Sequence, residues 1–119
     1  MSGSAWIGTW SATGLSWLFL ALAGVAEIGW PVGLKLAQTP AGRWPGTALA
    51  LACLGVSGWL LWKAQQHIPL GTAYAVWTGI GAAGTFVVGV LVFGDALTPL
   101  RALGVGLIVA GVVALKLAH

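Results

Sequence analysis

Glu27 stands inside the apolar run LSWLFLALAGVAEIGWPVGLK. A carboxylate near the middle of a membrane span costs about 2.5–3.5 kcal/mol on insertion scales, so something must offset it. The ordinary answer is an ion pair at the same depth. The sequence offers none: Lys35 is two helical turns away towards the following loop, and Lys63 and Arg101 fall near the ends of their own apolar runs. Two states remain open to Glu27. It is either protonated and neutral, or ionised with a cation bound. A group that alternates between them is the minimum machinery of a proton-coupled cation carrier. Binding one expels the other, which gives exchange by mutual exclusion. The competing reading is a structural or capped glutamate.

The neighbours of Glu27 fit the first reading. Gly24 and Ala23 precede it by three and four residues and leave space beside it, and Trp30 follows by three, on the same helical face. A second apolar run repeats the pattern, with Tyr74 and Trp77 three apart and Gly81 four beyond. Aromatic faces attract cations, more strongly when desolvated. Tyr74 and Trp77 also carry donors that can hold a carboxylate. Ser57, flanked by Gly55 and Gly58, offers a hydroxyl that a neighbour can approach closely. Most of the eight tryptophans have plainer uses, and Trp17, Trp44, Trp59 and Trp62 read as interfacial anchors or packing.

Other polar groups read as structural. Asp95 sits in a Gly-Asp-Ala turn, within reach of Arg101 or a lipid phosphate, and His67 lies in the QHIP linker facing solvent. No metal cluster, phosphate-binding loop or nucleophile–base pair is present, so neither an enzyme nor a cofactor is expected. The lone Cys53 lies in an apolar run and reads as a small hydrophobe.

Composition indicates the scaffold that carries these residues. The chain of 119 residues carries five basic and two acidic side chains, 59% apolar residues and 6% charged. Its mean hydropathy is +0.97. A soluble domain carries about 25% charged residues, and so short a chain could not coat its surface with so few. The composition therefore excludes a soluble globular domain and a disordered chain and leaves an integral membrane protein. The net charge of +3 and pI near 9.6 do not indicate nucleic acid, because the basic residues are scattered singly.

A span needs about 20 residues, so the chain holds at most four, and four are read along it. Residues 1–14 read as a tail or interfacial arm in which Trp6 and Trp10 share a face, and residues 15–119 read as one four-helix transmembrane domain. The first span runs from about Leu15 to Lys35, with Pro31 expected to bend or loosen it around Glu27. The second runs from Trp44-Pro45 to about Gln65. A short QHIP linker makes the third, about Leu70 to Phe93, its antiparallel neighbour. Gly94-Asp95 marks a turn, and Thr98-Pro99 reads as the N-cap and first residue of the fourth, which ends near Leu117. The glycines of GIGAAG read as packing or hinge positions. Along the fourth span Ala102, Gly106, Ala110 and Ala114 form a stripe of small residues, which in lipid marks a helix–helix contact. In so short a bundle the expected partner is a second copy. Lysine and arginine divide nearly evenly between the two faces, with Lys63 and Lys116 on one and Lys35, Arg43 and Arg101 on the other. Such a balance permits both orientations and hence an antiparallel pair.

The segments AGVAEIGWPVGLK and IPLGTAYAVWTGIGAAGT resemble the first and third helices of the small multidrug resistance family of bacterial four-helix transporters. The wording LGTAYAVWTGIG resembles its guanidinium-exporter branch. The likeness covers about residues 15–118. It implies an all-α antiparallel homodimer of dual topology in the inner membrane, exchanging protons for guanidinium or small guanidinyl cations at a site shared by Glu27 of both subunits. By motif position Gly24, Trp30, Ser57, Tyr74 and Trp77 match the branch's binding residues. Ser57 and Trp30 would orient the carboxylate, and Tyr74 would line the site and take part in switching. The segment GLIVAGV resembles the family's dimerising helix. The chain departs from the pattern at Pro31, where a small residue such as alanine is usual, in its longer N-terminal arm, and at Asp95, where glutamate is common. Guanidinium suits a carboxylate because it is planar, weakly hydrated and offers paired N–H donors. The alternatives are export of hydrophobic quaternary ammonium compounds and, from another class, a non-transporting membrane subunit.

Overall fold

A computed structural model describes the backbone of residues 3–118 and the side chains of residues 12–118. The chain is all-helical, with α1 Gly3–Leu36, α2 Arg43–Ala64, α3 Leu70–Phe93 and α4 Pro99–Ala118. Each contains a stretch long and apolar enough to cross a bilayer, of 25, 22, 24 and 20 residues in chain order. α1 runs back past Leu15 to Gly3, so the backbone of the expected arm continues the first helix. The side chains of Trp6 and Trp10 lie outside the described residues.

The helix ends are set by local chemistry. Gly94 ends α3 at φ 71°, a left-handed conformation that suits a residue without a Cβ. The N–H of Asp95 then returns to the carbonyl of Gly89 at 2.9 Å. Thr98 caps α4 as expected, its Oγ1 accepting the N–H of Arg101 at 3.2 Å, and Pro99 opens the helix. Between α1 and α2, the Thr39 hydroxyl donates to the Leu36 carbonyl at 2.9 Å and accepts the Gly42 N–H at 3.0 Å.

α1 is the central element. It packs along both α2 and α3, whereas α4 lies against α3. α2 and α3 meet only slightly, which corrects the neighbour relation inferred from their short linker: that linker ties their ends, but α1 supplies the surface on which both pack. α1 and α2 cross at two glycines. A Cβ on Gly33 would stand 2.6 Å from the Gly46 carbonyl oxygen, and one on Gly46 would stand 2.6 Å from that of Gly33.

A small core gathers at the end bearing the α2–α3 linker, where Leu20, Ala64, Ile68, Ala73 and Val76 are buried. Lys116 closes that end with its Nζ 4.7 Å from the centre of the Trp17 ring, and Lys63 lies 5.6 Å from that of Trp59. Trp44, Trp59 and Trp62 are exposed, as membrane-interface anchors should be. α4 buries no residue.

Candidate functional site

α1 turns Glu27, Trp30 and Pro31 to one face, since positions i, i+3 and i+4 lie together on a helix. Thr78, Gly81, Ala82 and Thr85 recur at the same spacing on α3. The seven residues line an open groove of about 380 Å³. Its one charged side chain is Glu27, and no basic residue is in the lining. Gly81 permits the approach, because a Cβ there would stand 2.7 Å from Cγ of Glu27.

α2 reaches the carboxylate through Ser57, which is fully buried. The Ser57 hydroxyl lies 2.7 Å from the carbonyl oxygen of Ala23 and 3.3 Å from Oε2 of Glu27. The indole N–H of Trp77 donates to Ser57 Oγ at 2.8 Å. A hydroxyl has one hydrogen to give, so the two acceptors share it, and the shorter contact with Ala23 is the stronger. Three helices thus converge on one carboxylate through a single serine.

The structure brings together Glu27, Trp30, Ser57 and Trp77, although Trp77 reaches the carboxylate only through Ser57. Tyr74 packs against Trp77 at 5.3 Å between ring centres. It is more than half exposed and lies outside the groove lining. Gly24 is buried against α3, where an added Cβ would stand 2.6 Å from Cβ of Ile80. It therefore sets the α1–α3 distance rather than opening space at the carboxylate. Four lining residues, Pro31, Thr78, Ala82 and Thr85, were not picked out by sequence as site residues. The repeat of small or hydroxylated residues at 78, 81, 82 and 85 was the available signal.

The groove offers a carboxylate and hydroxyl oxygens as acceptors. The Thr78 hydroxyl donates to the Tyr74 carbonyl at 2.8 Å, which leaves the lone pairs of its oxygen to accept. A carboxylate with a neighbouring hydroxyl oxygen suits a small cation rich in N–H donors. A second cavity of about 190 Å³ adjoins the first through Pro31 and Thr85 and extends to Lys35 and Asp95. Asp95 and His67 are both exposed, in keeping with their expected turn and linker positions. Among the described residues no group of three or more His, Cys, Asp or Glu could hold a metal ion.

The family model described as Small Multidrug Resistance protein matches residues 15–108. The chain is 43% identical over 103 residues to a guanidinium exporter of Salmonella typhimurium, covering 87% of this chain and 97% of the relative. The guanidinium exporter of Citrobacter freundii is 44% identical over the same shares. That of Yersinia pseudotuberculosis is 41% identical over 104 residues, 87% of this chain and 99% of the relative.

Proposed function

The chain belongs to the small multidrug resistance family, and from that premise we propose that it exports guanidinium and small guanidinyl cations in exchange for protons. It is a transporter rather than an enzyme, a multi-pass protein of the bacterial inner membrane. The observation that supports the exchange reading best is the setting of Glu27. Its carboxylate is the one charged side chain lining the groove, and a serine from a second helix orients it. With no lysine or arginine in the lining, the counter-charge comes from solution, as a proton or as the transported cation.

In this reading Glu27 binds cation and proton in turn. Ser57 and Trp77 fix the carboxylate's direction, Trp30 lines the cation's groove, Tyr74 backs Trp77 from outside it, and Gly24 keeps α1 and α3 close. The working unit is an antiparallel homodimer, so two Glu27 carboxylates face one another across the site. Two features support it: the Ala102, Gly106, Ala110 and Ala114 stripe is exposed along the whole of α4, and the near-even division of basic residues favours neither orientation. Calorimetric titration of the purified protein with guanidinium tests the reading: saturable binding that releases protons supports it, and heat only with quaternary ammonium ions favours the multidrug alternative.

A further inference from the structure

Pro31 lies four residues after Glu27, inside α1, and both line the groove. In an α-helix the carbonyl of residue i accepts the N–H of residue i+4. Proline has no N–H. The main-chain carbonyl of Glu27 therefore lacks its helical donor, on the same residue whose side chain supplies the carboxylate. Among the described residues no side-chain donor bonds to that carbonyl. Inside a bilayer an unpaired carbonyl is costly, and non-helical backbone polarity is tolerated where it lines a water-filled cavity. A helical carbonyl points along the axis towards residue i+4, so this one opens towards the Pro31 ring at the groove wall.

We infer that the freed carbonyl of Glu27 is a second acceptor for the transported cation, and that Pro31 is a specificity-determining residue because it frees it. The inference rests on the guanidinium reading above and deepens it. A planar guanidinium can set one edge against the two carboxylate oxygens and still hold further N–H groups on another edge. The carbonyl oxygen joins the Thr78 and Thr85 hydroxyl oxygens as acceptors for those groups. Carbonyls released from helices serve as cation ligands elsewhere in membrane transporters. A tetraalkylammonium ion has no N–H and gains nothing directional from the carbonyl. Pro31 thus raises affinity for N–H-bearing cations relative to alkylated ones.

The test compares guanidinium and tetraethylammonium binding to the full-length protein in lipid nanodiscs. Pro31→Ala restores the N–H and closes the Glu27 carbonyl. The expected result is a Kd for guanidinium raised about fivefold, the scale of one hydrogen bond, with that for tetraethylammonium changed less than about twofold. A second variant carries alanine at position 31 joined by a backbone ester, lacking both the ring and the N–H. It should keep the parent's guanidinium preference. Three results would overturn the inference: Pro31→Ala leaving the preference unchanged, both ligands weakening equally, or the ester variant behaving like Pro31→Ala. Each leaves the functional reading standing if the parent binds guanidinium. A parent that binds none would overturn that reading, and this inference with it.

Discussion

The Ser57 hydroxyl meets the Glu27 carboxylate at 3.3 Å across 30 residues of sequence. It is the one direct polar link between α2 and the acidic residue of α1, and it is held in turn by the indole of Trp77 at 2.8 Å. Ser57→Ala removes the donor to Glu27 and leaves the Trp77 N–H without its acceptor. The expected cost is about 1–3 kcal/mol for the unsatisfied group. Guanidinium affinity should fall about tenfold as the carboxylate loses its orientation. Thermal unfolding in detergent and calorimetric titration read the two effects separately, and wild-type affinity in a destabilised variant would remove Ser57 from the site.

Gly81 should be intolerant of any side chain. A Cβ there would stand 2.7 Å from Cγ of Glu27, so Gly81→Ala has to displace the carboxylate or part α1 from α3. Uptake of guanidinium into vesicles should drop at least about tenfold, the scale of a misplaced binding group. Gly55→Ala is the control, because nothing lies within 4 Å of its added Cβ. Equal uptake by both variants would show that the groove yields without consequence.

Competition fixes the sign of the pH dependence. If one proton and one cation exclude each other at Glu27, acidification weakens guanidinium binding. In the range where the carboxyl is mostly protonated, the apparent Kd should rise about tenfold per pH unit for each proton displaced. Titrations at a series of pH values measure that slope. A Kd that stays flat as the solution is acidified would show that the two do not compete.

The small-residue stripe of α4 makes a prediction about assembly. Nothing lies within 4 Å of a Cβ added at Gly106, so Gly106→Leu fits the isolated chain. If the stripe packs against a second copy, the larger side chain holds the two helices apart. Single-molecule photobleaching in liposomes should show dimer dissociation raised about tenfold or more, with little change in helical content by circular dichroism. An unchanged dimer fraction would move the interface elsewhere.

The elements were legible in the sequence because their signals are local. Apolar runs of the right length gave the four spans, Thr98-Pro99 gave the start of α4, and Gly94 gave the end of α3. Glu27 stood out because a carboxylate in such a run has no local explanation. The cross-helix relations were not legible. Spacing pairs Tyr74 with Trp77, and their rings do meet at 5.3 Å. But spacing says nothing of which α2 residue lies between Trp77 and Glu27. That depends on how each helix is rotated about its axis, which here follows from glycine contacts such as Gly33 with Gly46 and Gly24 with Ile80. The slight contact of α2 with α3 has the same origin, because a short linker fixes ends and not faces.

Guanidinium-driven proton movement in proteoliposomes reads exchange at Glu27 without an intermediate step. Protein is reconstituted at low density with a pH-sensitive dye inside, and guanidinium is added outside. Wild-type protein should move protons out of the vesicles as guanidinium enters. Glu27→Gln keeps the size of the side chain and one acceptor oxygen but can neither bind a proton nor balance a cation, and it should abolish the signal while the protein remains folded and reconstituted. Proton movement at the wild-type rate in Glu27→Gln would contradict the assignment of exchange to this carboxylate.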